Sequence, residues 1–209
     1  MILLVAPESY KQSSFPQQRE DENHSPVYYS NVPVADMSVT ACIDLLFDNT
    51  AERIAQLEKI SSGVVVVNLI AETGKHLPDN FVRINGWPGF WQKNIVECAA
   101  KNSSIKVLAE DALSELGKTI EWTPDIPGFI SARILSAIIN EAYFTLEEGV
   151  SSKEEIDMAM KLGTNYPSGP FEWGKKIGLN NILSLLNKMA EINSRYKPAA
   201  LLEEEAQLS

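Results

Sequence analysis

The chain has 209 residues, a hydrophobic share of 44% and a formal net charge of −10. That length admits one domain or two small ones, and that hydrophobic share is ordinary for a globular protein. The acidic balance argues against nucleic acid and anionic membrane surfaces as partners. No apolar run approaches the roughly 20 residues needed to span a bilayer. Two cysteines, Cys42 and Cys98, are too few and too far apart for a disulfide framework or a metal site. A reducing cytoplasm is the expected compartment.

Ile2 to Val5 is a short apolar run suited to a buried strand, and the start Met-Ile-Leu-Leu-Val-Ala lacks the basic region of a signal peptide. Residues 7–26 are polar and aperiodic, which predicts a surface loop. Val27 to Tyr29 reads as a short strand and Ala41 to Phe47 as another. Thr50 to Ile60 reads as a helix capped by Asn49 or Thr50, with Ile54 and Leu57 inward. Val64 to Val67 is the clearest strand in the chain. It shows no polar alternation, the pattern of a parallel sheet covered on both faces. Phe81 to Asn85 and Ile95 to Ala99 read as strands, Val107 to Leu116 as a helix closed by Gly117, and Thr119 to Trp122 as a final strand. Strand and helix alternate, so residues 1–123 read as a small α/β domain.

Residues 124–209 read as all-helical. Phe129 to Glu148 is apolar over most of its circumference, which predicts a helix covered on several sides. Gly149 sits where a left-handed C-terminal residue belongs. Ser151 and Glu154 have capping-box spacing for a helix from Ser152 to Lys161, with Gly163 as its stop. Asn165-Tyr-Pro-Ser-Gly-Pro170 reads as a rigid turn, with Pro170 opening a short helix that ends at Gly178. Asn180 can cap a fourth helix, whose apolar face holds Ile182, Leu183, Leu185, Leu186, Met189 and Ile192. The acidic tail from Glu203 reads as frayed. No internal repeat is visible.

Several strings in this half carry a family resemblance. Asp125-Ile-Pro-Gly-Phe-Ile, Asn140-Glu-Ala, Glu148-Gly-Val, Ile156-Asp-Met-Ala-Met-Lys-Leu-Gly163 and Tyr166-Pro-Ser-Gly-Pro-Phe-Glu-Trp173 resemble the C-terminal domain of 3-hydroxyacyl-CoA dehydrogenases. A weaker match runs back to about Val64. The resemblance implies a trimmed Rossmann-like parallel-sheet domain over residues 1–123 and a helical dimerisation domain over 124–209. It also implies NAD on a Gly-x-Gly-x-x-Gly turn after the first strand. There, glycines let the backbone approach a pyrophosphate seated on a helix N-terminus. Here the first strand is followed by Ala6-Pro7-Glu8-Ser9-Tyr10, and no glycine occurs from Met1 to Ser62. Pro7 has no N–H to donate, and Glu8 would set negative charge beside a diphosphate. No cofactor is therefore expected, and no metal.

The resemblance places the family's general-base histidine at Asn85, in Asn85-Gly-Trp-Pro-Gly-Phe-Trp91, and its glutamate partner at Glu97, twelve residues on. An imidazole takes a hydroxyl proton near neutral pH; an amide does not. The family's active-site asparagine falls on Ala132, with Arg133 kept, and its serine has no counterpart near Asn68-Leu-Ile70. The histidines, His24 and His76, lie outside these motifs. Glu97 can equally serve as a helix-terminus or Arg83 partner. Trp87, Phe90 and Trp91 either line a substrate pocket or fill space vacated by a cofactor. Lys153, Lys161, Lys175 and Lys176 either form a basic patch for an anionic ligand or a solvated face. Asp157 reads as part of a helix-surface network. The resulting expectation is a non-catalytic, homodimeric binding or scaffold protein of this family. An acyl-CoA-like small molecule is its candidate ligand. The alternative is NAD-dependent oxidation of 3-hydroxyacyl-CoA to 3-oxoacyl-CoA.

Overall fold

The structure, a computed structural model, describes residues 2–7, 10, 27–29 and 39–208. Most of the expected loop over 7–26, with Glu8 and His24, lies outside the described residues. The chain divides into two units, Met1–Phe129 and Ile130–Ser209.

In the first unit, strands β1 (Ile2–Val5), β2 (Val27–Tyr29), β3 (Val39–Asp44), β4 (Ser61–Asn68), β5 (Phe81–Ile84), β6 (Ile95–Ala100) and β7 (Thr119–Trp122) form one sheet. Its order is β2-β1-β3-β4-β5-β6-β7. Neighbours pair parallel except β5 and β6, which are antiparallel. The expected parallel sheet is thus mixed at one edge. Residues 85–94 join β5 to β6 without a helix, whereas a parallel return needs a crossover of about a dozen residues or more.

The four valines behave as their pattern requires. Val64 and Val66 face one core with Ile105, Ala109 and Leu113 of α2 (Ser103–Glu115). Val65 and Val67 face another with Leu57 and Ile60 of α1 (Ala51–Ile60). Alternate side chains point to opposite faces of a strand, so a fully apolar run needs cover on both. Two helix starts are set by side-chain caps. The Asn102 side chain accepts from the Ile105 N–H at 3.0 Å, so α2 begins at Ser103, not Val107. Thr50 Oγ1 accepts from the Arg53 N–H at 3.2 Å.

One buried cation sets the end of this unit. Arg83, on β5, is 1% exposed. Its Nε donates to the Leu69 carbonyl at 2.9 Å and its Nη2 to the Ile70 carbonyl at 3.3 Å. Its Nη1 pairs with the Asp125 carboxylate. Asp125 also accepts from the Gly74 N–H at 2.9 and 3.0 Å. The guanidinium carbon stands 4.7 Å from the Phe129 ring centroid, and the Gly128 N–H donates to the Ile70 carbonyl at 2.8 Å. Desolvation pushes the Arg83 pKa down, and Asp125 opposes that shift. Asp125 to Phe129 therefore belongs with the sheet, and the unit boundary falls after Phe129 instead of Thr123. The carboxylate on Arg83 is that of Asp125, while Glu97 accepts from Asn85 Nδ2.

The second unit holds α3 (Ser131–Glu147), α4 (Lys153–Thr164), α5 (Pro170–Ile177), α6 (Leu179–Ile192) and α7 (Ala200–Gln207). The capping box uses Ser152 and Glu155, one residue beyond the expected pair. Helix α4 runs through Gly163 and stops at Asn165, whose φ of 57° is left-handed. Pro170 opens α5 as expected. Gly178, not Asn180, precedes α6, and Ile192 is 71% exposed, off the apolar face. Asp157 is buried, and its carboxylate accepts from the Phe171 and Glu172 N–H groups at 2.8 and 3.2 Å. It satisfies the orphan donors of the α5 N-terminus and is no surface-network residue.

The acidic tail is a docked helix. Asn140 donates to the Lys197 carbonyl at 3.0 Å and accepts from the Ala199 N–H at 2.9 Å. The Tyr143 hydroxyl donates to Glu205 Oε2 at 2.7 Å, and Lys153 pairs with the same carboxylate. Burial and Glu205 push the Tyr143 phenol up. Leu202 and Ala206 are buried. The expected fraying is overturned by these contacts, which lie far apart in sequence.

Replacing Arg83 with Leu leaves Asp125 uncompensated and the Leu69 and Ile70 carbonyls without this donor. The expected loss is about 3 kcal/mol, read by urea denaturation. At Gly169, an added Cβ would sit 2.2 Å from Asp157 Oδ1. Gly169→Ala should displace that cap and lower stability by about 1–3 kcal/mol, read by thermal unfolding.

Candidate functional site

The carboxyl ends of β1, β3, β4 and β5 lie at one edge of the sheet, and the antiparallel β6 brings its amino end there too. Ile84 pairs with Cys98 across β5 and β6, which sets Asn85 opposite Glu97. The Asn85 N–H donates to the Glu97 carbonyl at 3.0 Å, and Asn85 Nδ2 donates to Glu97 Oε2 at 2.9 Å. Asn85 is 1% exposed. The two residues expected from the histidine–glutamate pair are thus brought together as an amide and a carboxylate.

Asn68 is a polar residue of this edge that sequence reasoning passed over. Its Oδ1 accepts from the Gly86 N–H at 3.0 Å, and its Nδ2 donates to the Leu45 carbonyl at 3.3 Å. A Cβ on Gly86 would meet Asn68 Cγ at 2.9 Å, which is why the smallest residue follows Asn85. The available signal was a polar residue closing the valine run at the end of β4.

The three aromatic residues separate. Trp91 is fully buried in the core beside Ile84 and Val96. Its carbonyl accepts from Lys118 Nζ at 2.6 Å, and that ammonium stands 4.8 Å from the indole centroid. Burial pushes the Lys118 amine down. Trp87 is 4% exposed and Phe90 is half-buried, with Lys93 Nζ 4.8 Å from the Phe90 centroid. As a core residue, Trp91 offers no open surface to a ligand. Trp87 is buried as well, and of the three only Phe90 is partly exposed.

In an open α/β sheet the nucleotide crevice lies where strand order reverses. Here that point is between β1 and β3, since β2 lies on the other side of β1. Ala6 is buried, and the Tyr10 N–H donates back to the Pro7 carbonyl at 2.8 Å. The Leu45 N–H is taken by the Val5 carbonyl at 2.8 Å. Asp44, fully buried, is held by Arg53 Nε at 2.7 Å and Nη2 at 3.1 Å, and by the Leu46 N–H at 2.9 Å. Burial raises the Asp44 pKa, and Arg53 lowers it. The crevice wall thus carries an internal ion pair. These residues do not fit a dinucleotide diphosphate.

Elsewhere, His76 Nε2 lies 2.7 Å from Asn49 Oδ1 at the surface. Among the described residues, no three His, Cys, Asp or Glu side chains converge to hold a metal. Cys42 and Cys98 are free and buried, and desolvation pushes the Cys42 thiol up to about 12. In the second unit Ala132 is fully buried, and Arg133 Nη1 donates to the Tyr196 hydroxyl at 3.2 Å. Of the four lysines considered as a basic patch, Lys153 and Lys161 are paired with Glu205 and Glu172, and Lys176 covers the Trp173 ring. No helix among the described residues is long and apolar enough to cross a membrane.

The sheet and the helical unit together define a Rossmann-like protein with a dehydrogenase-type helical domain. Residues 128–208 match the 3-hydroxyacyl-CoA dehydrogenase C-terminal domain. A 3-hydroxybutyryl-CoA dehydrogenase of Bradyrhizobium diazoefficiens is 35% identical over 68% of this chain and 50% of its own. One from Clostridioides difficile is 34% identical over 74% of this chain and 55% of its own. The crystal structure of (S)-3-hydroxybutyryl-CoA dehydrogenase from Ralstonia eutropha superposes with a TM-score of 0.67 at 28% identity. It covers 79% of this chain and 64% of that one. These matches support the 3-hydroxyacyl-CoA dehydrogenase family for this chain, with residues 128–208 as its C-terminal domain. It spans about half the length of the two curated relatives.

Asn85→Asp would set a second carboxylate against Glu97 in a buried place. Like charges there raise one pKa above its unfolded value. The folded state then holds a proton that the unfolded chain has released, so the variant's stability falls as pH rises through that window. Relative to wild type, the loss should be small near pH 4. At pH 7 it should be about 3 kcal/mol for a shift of about two pH units, measured by denaturation at both pH values.

Proposed function

We propose that this chain is a non-catalytic member of its family, acting as a homodimeric binding or scaffold protein. The observation that carries the reading is the 2.9 Å bond from Asn85 Nδ2 to Glu97 Oε2. The resemblance puts a general base at that position, and the residue there is an amide donor with its carboxylate partner already engaged. An amide does not accept a proton near neutral pH, and losing a general base costs about two to four orders of magnitude in rate. The poor fit of Ala6, Pro7 and the Asp44–Arg53 pair to a dinucleotide, and Ala132 at the family's asparagine position, support the same reading. We place the protein in the cytoplasm, on the two free buried thiols. An acyl-CoA-like molecule is the ligand class to try, because the relatives named above act on 3-hydroxybutyryl-CoA.

The second reading is NAD-dependent oxidation of a 3-hydroxyacyl-CoA to the 3-oxoacyl-CoA. Those relatives' names favour it, and Glu97 stands where that chemistry would want a carboxylate. Calorimetric titration with NAD discriminates the two. No binding tighter than millimolar, and no NADH formed from 3-hydroxybutyryl-CoA, is the expected outcome. Micromolar binding or measurable turnover overturns the non-catalytic reading.

A further inference from the structure

We propose that Asn85-Gly86 is a latent site of spontaneous deamidation, held unreactive in the folded chain by Asn68 and Glu97. It stands whether or not the chain is catalytic. Asparagine followed by glycine occurs once in the sequence. In such a pair the glycine nitrogen attacks the asparagine side-chain carbonyl carbon, because no Cβ hinders the approach and glycine reaches backbone angles closed to other residues. A bond forms from Gly86 N to Asn85 Cγ, and the bond from Cγ to Nδ2 breaks. The Gly86 N–H proton ends on the departing nitrogen, which leaves as ammonia. Water then opens the cyclic imide at either carbonyl and leaves aspartate or isoaspartate at position 85. The reaction needs no oxidant, metal or cofactor.

The groups that the reaction consumes are already engaged. The nucleophile, the Gly86 N–H, donates to Asn68 Oδ1 at 3.0 Å. The leaving nitrogen, Asn85 Nδ2, donates to Glu97 Oε2 at 2.9 Å. Asn85 Oδ1 accepts from the Trp87 N–H at 3.5 Å. Forming the imide removes both the N–H and the amide nitrogen, so the bonds to Asn68 and Glu97 are lost on the way. Asn85 is 1% exposed, and water is not at hand to replace them. The protecting contact also explains why the labile pair is there. A Cβ at position 86 would meet Asn68 Cγ at 2.9 Å, so Asn68 excludes a side chain from the position whose N–H it holds. Asn68 is itself anchored by its Nδ2, which donates to the Leu45 carbonyl at 3.3 Å. Conversion therefore follows the fraction of molecules in which this edge is open. The product sets a second carboxylate against Glu97, so an edge that has opened and reacted closes less firmly afterwards.

Peptide mapping by mass spectrometry reads the conversion directly. On incubation at neutral pH, wild type unfolded in guanidinium chloride should accumulate aspartate and isoaspartate at position 85. Folded wild type kept for the same time should not. Folded Asn68→Ala should convert at least about tenfold faster than folded wild type, since a buried hydrogen bond is lost. Asn68→Asp keeps an oxygen for the Gly86 N–H and should convert at close to the wild-type rate. At the other end of the pair, Glu97→Ala should speed conversion and Glu97→Gln, which keeps an acceptor for Asn85 Nδ2, should not. Thermal unfolding identifies the variants that are folded at the incubation temperature, and the Glu97 variants carry the comparison where Asn68→Ala is not. Equal rates in folded and unfolded wild type overturn the proposal. So do folded alanine variants that convert no faster than wild type, or conservative variants that convert as fast as the alanine ones.

Discussion

A guanidinium taken out of water must find acceptors for its N–H groups, and Arg83 has found them in three backbone carbonyls and one carboxylate. This requirement organises the end of the first unit. The carbonyls come from the turn after β4 and from Ile126, and the carboxylate comes from Asp125. Leu69, Ile70, Gly74 and Asp125 to Phe129 are therefore held around one side chain of β5. The same Asp125 caps the Gly74 N–H, so the pair is satisfied on both sides. That is the condition under which burying a charge is tolerated.

The polar edge of the sheet is arranged differently. Asn68, Asn85 and Glu97 are linked by amide donors and backbone groups across β3, β4, β5 and β6. Each bond is short-range in space and long-range in sequence. Amides hold loops in place because they can donate and accept at once. They are poor at moving a proton for the same reason that they are stable: neither form they could reach is accessible near neutrality. The edge therefore combines a well-tied backbone with little capacity for acid–base chemistry at Asn85. At the neighbouring crevice between β1 and β3, both Asp44 oxygens are engaged by Arg53.

Where local chemistry alone decides an element, the sequence was legible. Pro170 opens a helix because its missing N–H costs nothing there and its φ is preset. The four valines make a doubly covered strand because no other cover suits them. Where a choice lay between two local signals, neighbours decided it. Gly163 offered a stop, yet α4 continues to Asn165. Ser151 and Ser152 both offered a cap, and the second took it. The tail from Glu203 looked unable to pay its ordering entropy, until Asn140, Tyr143 and Lys153 supplied partners from across the unit. The antiparallel turn from β5 to β6 follows from a linker without a helix, which periodicity within the strands does not reveal.

By itself, the amino-acid order determined the family resemblance, most of the strands and both helices up to Trp122, the helical second half, and the placing of Asn85 and Glu97 in the family's motif. These depend on hydrophobic period, on caps, and on residue types at fixed spacing. Tertiary structure alone decided that Asp125 belongs to Arg83, that Asn68 joins the polar edge, and that Trp91 is core. Each of these depends on which groups remain without water once the chain is compact. Desolvation is a property of the assembled neighbourhood, and no local window of residues contains it.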